Sequence, residues 1–110
     1  MEQRTATSII NKLKEMVESK KIIPREWWIE AAFDLNLLRI DEAQLFNRMK
    51  QRVAEMKMEL KKKQDKVNIS AIEMEVEATD EYRLMRDQED LIYSIDQFVM
   101  VAKKSADMTL

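Results

Sequence analysis

Glycine, cysteine and histidine are all absent from this 110-residue chain, and proline occurs once. Without glycine, most tight hairpin turns and the glycine-rich phosphate-binding loops are excluded, so the sequence predicts helices rather than a β-rich fold. Without cysteine and histidine there are no disulfides, thiol nucleophiles, imidazole bases or usual zinc ligands. These absences leave little material for an active site, and we expect a protein that is not an enzyme and uses no cofactor.

Long hydrophobic runs are missing as well. No stretch reaches the ~18 consecutive apolar residues that a membrane-spanning helix needs, and the first residues, MEQRTATSIINKLKE, lack the apolar core of a signal peptide. Charged residues make up 36% of the chain and hydrophobic residues 45%, which is typical of a globular or coiled-coil protein. We therefore expect a single helical domain over residues 1–110, located in the cytoplasm and without a membrane contact.

Periodicity and capping residues predict a short first helix and a long second one. Helix one covers about residues 6–20, and its N-terminal cap is Thr5, Thr7 or Ser8. Its apolar face consists of Ile9, Leu13, Met16 and Val17. Pro24 predicts the start of helix two, about residues 24–66, because proline lacks an N–H and the first helical position does not need one.

A third helix follows the turn "DKVNIS" and covers about residues 70–106, with Ser70 as its cap and Glu73 in the capping-box position. Helix two narrows to a single apolar stripe after Leu45, and helix three has a stripe with the seven-residue spacing typical of helix-on-helix packing. The stripe of helix three is Leu84, Met85, Gln88, Leu91, Ile92, Ile95, Phe98, Val99 and Ala102. We expect an all-α fold with a short N-terminal helix and a long antiparallel helical hairpin, coiled-coil-like and self-associating.

The segment "PREWWIEAAFDLNLL" opens helix two and holds both tryptophans. From Trp27 to Ile40, apolar residues cover most of the helix circumference, and such a helix is expected to be buried on all sides. Helix one and the end of helix three can cover only part of it, so we expect another copy of the chain to cover the rest. The alternative is a monomer in which helix one alone wraps this region. The predicted oligomer interface comprises Trp27, Trp28, Phe33, Leu37, Tyr82 and Tyr93.

The two tyrosines belong to this interface for a separate reason. Tyr82 and Tyr93 are eleven residues apart, which is three helical turns, and both are predicted to point away from the core stripe of helix three. Exposed aromatic rings can stack on unpaired bases. A second apolar stripe on a helix is more often a protein interface, which is the interpretation that we favour.

Charge is divided into two blocks along the chain. Residues 46–66 hold eight basic and three acidic residues, and residues 67–96 hold nine acidic and two basic ones. The blocks are expected to pair across the hairpin, where each exposed ion pair contributes about 0–1 kcal/mol. The basic block can also follow a phosphate backbone without reading its sequence, and the two roles can coexist. The candidate nucleic-acid-binding residues are Arg52, Lys57, Lys61, Lys62, Lys63 and Lys66.

The order of these features resembles a known family. A short helix, the proline-started segment "PREWWIEAAFDLNLL", the basic segment "MKQRVAEMKMELKKK" and the closing helix "ATDEYRLMRDQEDLIYSIDQFVMVAKKSADM" resemble the UvsY-type recombination mediators of T4-like phages. The likeness covers roughly residues 27–105. It implies a ring-forming helical protein, acting in the bacterial host cell, that helps a recombinase displace single-strand-binding protein from single-stranded DNA. It also implies DNA contacts at Lys57, Lys61, Lys62 and Lys63.

Two functions therefore stay open. The first is a non-enzymatic, oligomeric accessory protein, a phage recombination or replication mediator that acts on single-stranded DNA. Its expected partners are further copies of itself, single-stranded DNA, and a recombinase or single-strand-binding protein. The second is a protein–protein adaptor or assembly scaffold, such as a phage structural or host-takeover factor, which binds no nucleic acid.

Overall fold

The computed structural model describes residues 5–20 and 22–108. The described residues form four α-helices, which are α1 Ala6–Glu18, α2 Arg25–Lys63, α3 Ile69–Glu77 and α4 Asp80–Met108. The long helices α2 and α4 pack against each other as an antiparallel hairpin, and α1 is the short N-terminal helix. The all-α hairpin fold predicted from the sequence is thus confirmed. None of the described helices combines the length and the apolar character needed to cross a bilayer.

Helix α1 begins with a complete capping box at Thr5. The Thr5 hydroxyl accepts a hydrogen bond from the Ser8 backbone N–H at 3.1 Å, and the Ser8 hydroxyl oxygen accepts one from the Thr5 N–H at 2.9 Å. These bonds satisfy backbone groups that the first helical turn leaves unpaired. The buried face consists of Ala6, Ile9, Ile10 and Leu13. Val17 was predicted on this face but is exposed, because it lies in the last turn and borders an open groove.

The end of α1 uses a left-handed residue that is not glycine. The helix ends at Glu18, two residues earlier than predicted, and Ser19 is its C-terminal cap. Lys20 then takes a positive φ of 56°, a conformation in which its Cβ crowds the following carbonyl oxygen. Glycine is the usual residue at this position after a helix, and this chain contains none.

Helix α2 starts one residue after Pro24. The Pro24 carbonyl accepts hydrogen bonds from the N–H groups of Trp27 and Trp28 at 3.1 and 3.4 Å, so the proline stands at the helix entry as the sequence predicts. The helix ends at Lys63, and the predicted extension to residue 66 is wrong because the chain bends there.

Asn68, rather than Ser70, caps the helix that follows. Its backbone is extended, and its side-chain oxygen accepts a hydrogen bond from the Ala71 N–H at 3.1 Å. The predicted capping box at Ser70 is therefore wrong, because Asn68 already caps the helix and Ser70 lies within its first turn.

The predicted third helix is divided into α3 and α4 at Thr79. The Thr79 hydroxyl donates to the Val76 carbonyl at 2.6 Å and accepts from the Tyr82 N–H at 3.3 Å. It closes α3 with the first bond and caps α4 with the second. Asp80 and Glu81 follow in the first turn of α4, where negative charge is favourable. The prediction of one helix over residues 70–106 is wrong because this cap interrupts it.

The chain divides into two compact units by its packing. Unit 1 consists of Met1–Glu42 with Leu91–Leu110, and unit 2 is Ala43–Asp90. In unit 1, residues from α1, α2, α4 and the segment before α2 form one buried cluster: Ala6, Ile9, Ile10, Leu13, Ile23, Trp28, Ala31, Ala32, Leu35, Ile95, Val99, Ala102 and Ala106. In unit 2 the buried cluster is Val53, Ile72 and Val76, with partly buried Met56, Leu60, Tyr82 and Met85 against it. That the two units make a single domain stays a prediction.

Two side chains of α4 depart from the predicted stripe. Gln88, Ile95, Val99 and Ala102 are buried as predicted, but Leu84 is 51% exposed. Tyr82, predicted to point away from the core, instead packs against the cluster of unit 2. The break at Thr79 places Tyr82 in the first turn of α4, from which its ring reaches the residues of α2 and α3.

Candidate functional site

Three lysines form a row along one side of the basic half of α2. Lys50, Lys57 and Lys61 are seven and four residues apart, so they point in similar directions over a length of about 16 Å. Lys50 and Lys61 are exposed, and Lys57 is half-buried. The Lys50 ammonium lies 5.1 Å from the centre of the Phe46 ring. None of the three forms an ion pair with a residue that the structure describes. We call them the lysine row.

On the opposite side of α2, which we call the compensated side, Arg52 is paired with carboxylates, although Lys63 forms no ion pair with a described residue. The Arg52 guanidinium lies 3.7 Å from Glu55 and 3.6 Å from Glu59. Arg52 and Lys63 line an open groove of about 180 Å³ together with Glu75 of α3. Carboxylates are therefore paired with Arg52 and border the same groove as Lys63, whereas the lysine row has none within ion-pair distance in the described part of the chain.

The six predicted nucleic-acid residues do not form one surface. Lys57 and Lys61 lie in the lysine row, and Arg52 and Lys63 lie on the compensated side. Lys62 is exposed and points in a third direction, because successive helical residues are about 100° apart. Lys66 is exposed in the bend after α2, so it belongs to neither helical row. The contacts show that Arg52 is paired and that Lys57 and Lys61 are not.

The charge blocks are neighbours, but they do not pair as predicted. Lys63 and Glu75 border the same groove, so the end of α2 and helix α3 lie side by side. The ion pairs found in unit 2 run along single helices instead, joining Arg52 to Glu55 and Glu59, Arg83 to Asp80, and Arg86 to Glu89. Within residues 43–90 no ion pair joins the basic block to α3 or α4.

A second candidate surface is the apolar stripe that α2 exposes in unit 1. Its residues recur with helical spacing within about 80° of arc. Ile29, Phe33, Leu37 and Ile40 are 50%, 63%, 51% and 57% exposed. A groove of about 380 Å³ opens beside the stripe and is bordered by Ile29, Phe33 and Trp28 of α2 and by Ala102 of α4. We call these four residues the α2 stripe.

The two tryptophans do not belong to this surface. Trp28 is 7% exposed and lies inside the cluster of unit 1, so the protein's own helices cover most of its ring; its place in an oligomer interface stays a prediction. Trp27 is partly buried against the same cluster, and the Lys12 ammonium lies 5.2 Å from its ring centre. Of the predicted interface residues, Phe33, Leu37 and Tyr93 are the ones that the structure leaves exposed.

Helix α4 exposes a third surface in unit 1. Tyr93, Met100, Val101 and Met108 are 66%, 54%, 47% and 85% exposed. They fall within about 100° of arc on the side of α4 away from Ile95, Val99 and Ala102. We call these four residues the outer face of α4. Of these four residues, Tyr93 was predicted from its spacing to point away from the core stripe.

Two polar contacts that the sequence did not signal join α2 to α4 in unit 1. The Arg39 guanidinium donates two hydrogen bonds to the Asp96 carboxylate, at 2.6 and 3.2 Å. The bonds and the charge of Asp96 raise the pKa of Arg39 above its ordinary value. The Arg25 Nε donates to the Ala106 carbonyl at 3.1 Å near the C-terminal end of α4. A cation at this position suits the negative end of the helix dipole.

The described residues contain no cluster of three or more acidic side chains that could hold a metal ion. Among the same residues, every buried side-chain nitrogen and oxygen atom has a hydrogen-bond partner. Comparisons with protein-family models, with curated proteins and with solved structures found no match to this chain.

Proposed function

We propose that this protein is a non-enzymatic helical accessory protein that associates with itself and binds single-stranded DNA along the lysine row of α2. The observation that carries the proposal is the contrast between the two sides of this helix. Arg52 on one side is held by Glu55 and Glu59, while Lys57 and Lys61 on the other side have no carboxylate partner among the described residues. A positive charge without a protein partner is available to a phosphate.

Aligned lysines suit a phosphate backbone better than they suit a base. An ammonium group is a compact point charge that neutralises phosphates without recognising sequence. The row is therefore expected to bind single strands with little sequence preference. The resemblance to UvsY-type mediators supports the same assignment, and it adds a recombinase or a single-strand-binding protein as the second partner.

The test is fluorescence anisotropy with a labelled single-stranded oligonucleotide over a salt series. Each neutralised phosphate lowers the slope of log affinity against log salt by about 0.7. The double variant Lys57→Gln/Lys61→Gln should flatten the slope by about 1.4 and weaken binding at low salt. The matched variant Arg52→Gln/Lys63→Gln removes the same charge from the opposite side, where Arg52 is already paired with Glu55 and Glu59, and should have a smaller effect.

Two results would contradict the proposal. One is the absence of binding by the wild-type protein at low salt. The other is an equal loss in both double variants, which would mean that net charge alone, rather than the lysine row, governs binding. Circular dichroism of each variant checks that the half-buried Lys57 can be replaced without unfolding the helix.

The second candidate function is a protein–protein adaptor or assembly scaffold without nucleic-acid binding. The α2 stripe favours it, because four large apolar side chains at helical spacing form a contiguous exposed patch. A wild-type protein that associates with itself but does not bind single-stranded DNA would support this function over the first.

A further inference from the structure

An aromatic ring stands at the start of the lysine row. Phe46 lies four residues before Lys50 and eleven before Lys57, and at about 100° per residue the three side chains leave α2 within about 40° of one another. The Lys50 ammonium lies 5.1 Å from the centre of the Phe46 ring. The ring and the row therefore share one side of the helix, over about 22 Å from Phe46 to Lys61.

The Phe46 ring is only half-buried. It is not among the partly buried side chains that pack against the cluster of unit 2. Val53, seven residues further along and nearly in line with Phe46, is 5% exposed and belongs to that cluster. Phe46 thus lies at the border between the apolar stripe of α2 and the lysine row, and part of its ring is accessible to a ligand.

Two other lysines of the described chain lie over aromatic rings, but in a different setting. The Lys12 ammonium is 5.2 Å from the centre of the Trp27 ring, and the Lys14 ammonium is 5.8 Å from that of Phe98. Both of these rings pack against the buried cluster of unit 1. The contact at Phe46 differs from them because its ring lies beside a row of lysines and packs on neither cluster.

We propose that Phe46 stacks on a base of the bound single strand while Lys50, Lys57 and Lys61 neutralise its phosphates. The inference rests on the DNA binding in the proposed function and names the residue that selects single strands. A basic groove with an aromatic ring suits unpaired nucleic acid, because every base has a face that can stack. The bases of a duplex already stack on one another, so they do not reach the ring.

Lys50 connects the two contacts. In the free protein its ammonium lies against the Phe46 ring, and such a contact is weak where water reaches it. A bound strand supplies a phosphate for the ammonium and a base for the ring, and a stacked base is the stronger partner of the two for the ring. Binding therefore replaces one weak contact by two stronger ones.

The test measures fluorescence anisotropy with two labelled probes that have the same number of phosphates. One is oligothymidylate, and the other is a strand of abasic sites that has no bases. The wild type should bind oligothymidylate about tenfold more tightly, because only this probe can stack on the ring. Phe46→Leu keeps an apolar side chain but removes the ring, so it should bind the two probes equally. Phe46→Tyr keeps the ring and should retain the preference.

The salt dependence separates stacking from charge. Phe46→Leu should leave the slope of log affinity against log salt unchanged, whereas Lys50→Gln should flatten it by about 0.7 with either probe. The affinity of Phe46→Leu for a duplex should equal that of the wild type, since duplex bases do not stack on the ring. Circular dichroism and thermal unfolding check that each variant is folded.

Phe33→Leu is the matched control. It makes the same change at an exposed phenylalanine of α2 that has no lysine within seven residues on either side, and it should keep the wild-type preference. A loss of preference in this control equal to that of Phe46→Leu overturns the inference. So does a wild type that binds both probes equally, or a Phe46→Leu variant that still prefers oligothymidylate.

These three results leave the lysine row standing, because the row is tested by the salt slope. A wild type that does not bind oligothymidylate at low salt instead overturns both the DNA binding of the proposed function and the stacking on Phe46.

Discussion

Among the described residues, unit 1 has thirteen buried residues in one cluster, from three helices and the segment before α2, whereas the cluster of unit 2 contains three buried residues. The same helix, α2, contributes to both. In unit 1 its apolar residues cover most of the circumference, and α1 and α4 both pack on it. In unit 2 its apolar residues are confined to one narrow stripe. The comparison teaches that the width of the apolar arc along a helix indicates how many partners that part of the helix has.

The polar contacts also differ between the units, because those of unit 1 join different helices and those of unit 2 do not. In unit 1, Arg39 bonds to Asp96 and Arg25 bonds to the Ala106 carbonyl, so charged groups join two helices. In unit 2 the ion pairs lie within single helices, where they support helix formation but not the packing of helices. Unit 1 is therefore expected to provide most of the stability, and unit 2 mainly a charged surface.

The largest expected effect comes from removing the same side chain from each cluster. Ile95 in unit 1 is 0% exposed and Ile72 in unit 2 is 1% exposed, and both lie inside helices. We expect Ile95→Ala to lower the free energy of unfolding by about 4 kcal/mol and Ile72→Ala by about 2 kcal/mol, because a smaller cluster leaves fewer contacts to lose. Urea unfolding measures both losses of free energy. Each variant replaces Ile with Ala inside a helix, so the change in helix propensity is the same in the two and cancels in the comparison. An equal or larger loss for Ile72→Ala would contradict the proposed division of stability.

A smaller effect is expected from the ion pairs. Asp96→Asn breaks the two bonds to Arg39 and should lower the free energy of unfolding by about 1 kcal/mol at low salt, and by less at high salt. Glu59→Gln, which removes one contact of Arg52 along α2, is the matched change in unit 2 and should have almost no effect. Urea unfolding at low and high salt compares the two variants. Equal effects would mean that bonds between helices matter no more than bonds along them.

The pH dependence of the Arg39 contact follows from the sign of its pKa shift. Asp96 raises the pKa of Arg39 in the folded state, so this stabilisation is fully present below the pKa of arginine in the unfolded chain. It is lost only as the pH rises through the folded value, far above neutrality. Arg39 therefore stays protonated near neutral pH. The difference in the free energy of unfolding between the wild type and Asp96→Asn should not change with pH there through the titration of Arg39.

The smallest effect is expected at the end of α1. Lys20 holds a positive φ of 56°, and glycine adopts this conformation without crowding. Lys20→Gly should raise the free energy of unfolding by about 0.5 kcal/mol, since part of the relieved strain is offset by the flexibility of glycine in the unfolded chain. Ser19→Gly is the matched control, because Ser19 is right-handed and should gain nothing. Thermal unfolding distinguishes the two, and stabilisation by both would mean that the backbone conformation of Lys20 is not the cause.

The sequence predicted the fold well where physical signals are local. Pro24, the segment DKVNIS and the periodic apolar residues placed α1, α2 and the turn of the hairpin close to their observed positions. It failed at Thr79, where a cap interrupts an otherwise continuous helical pattern, although the string Thr-Asp-Glu is a usual helix start. Whether a helix ends at such a cap or continues through it depends on packing, and the periodicity of apolar residues does not describe packing.

The candidate site was predicted less completely than the fold. The basic block of α2 was apparent from the sequence, and the exposure of Phe33, Leu37 and Tyr93 followed from helical spacing. The burial of Trp28 did not follow, because an arc that is apolar on all sides does not reveal which part faces the protein's own helices. The bond between Arg39 and Asp96 joins residues 57 positions apart, and no local pattern indicates such a partner.

Helix α2 runs unbroken from Arg25 to Lys63 and contributes to both units. Its backbone hydrogen bonds are of the same helical type along this length. How readily each amide becomes exposed to solvent nevertheless depends on the packing around it. Amide hydrogens near Leu35 should therefore exchange with deuterium far more slowly than those near Met56. The two parts of one continuous helix would then have different free energies of local opening. The residue at which the exchange rate changes would mark the end of the cooperatively protected segment.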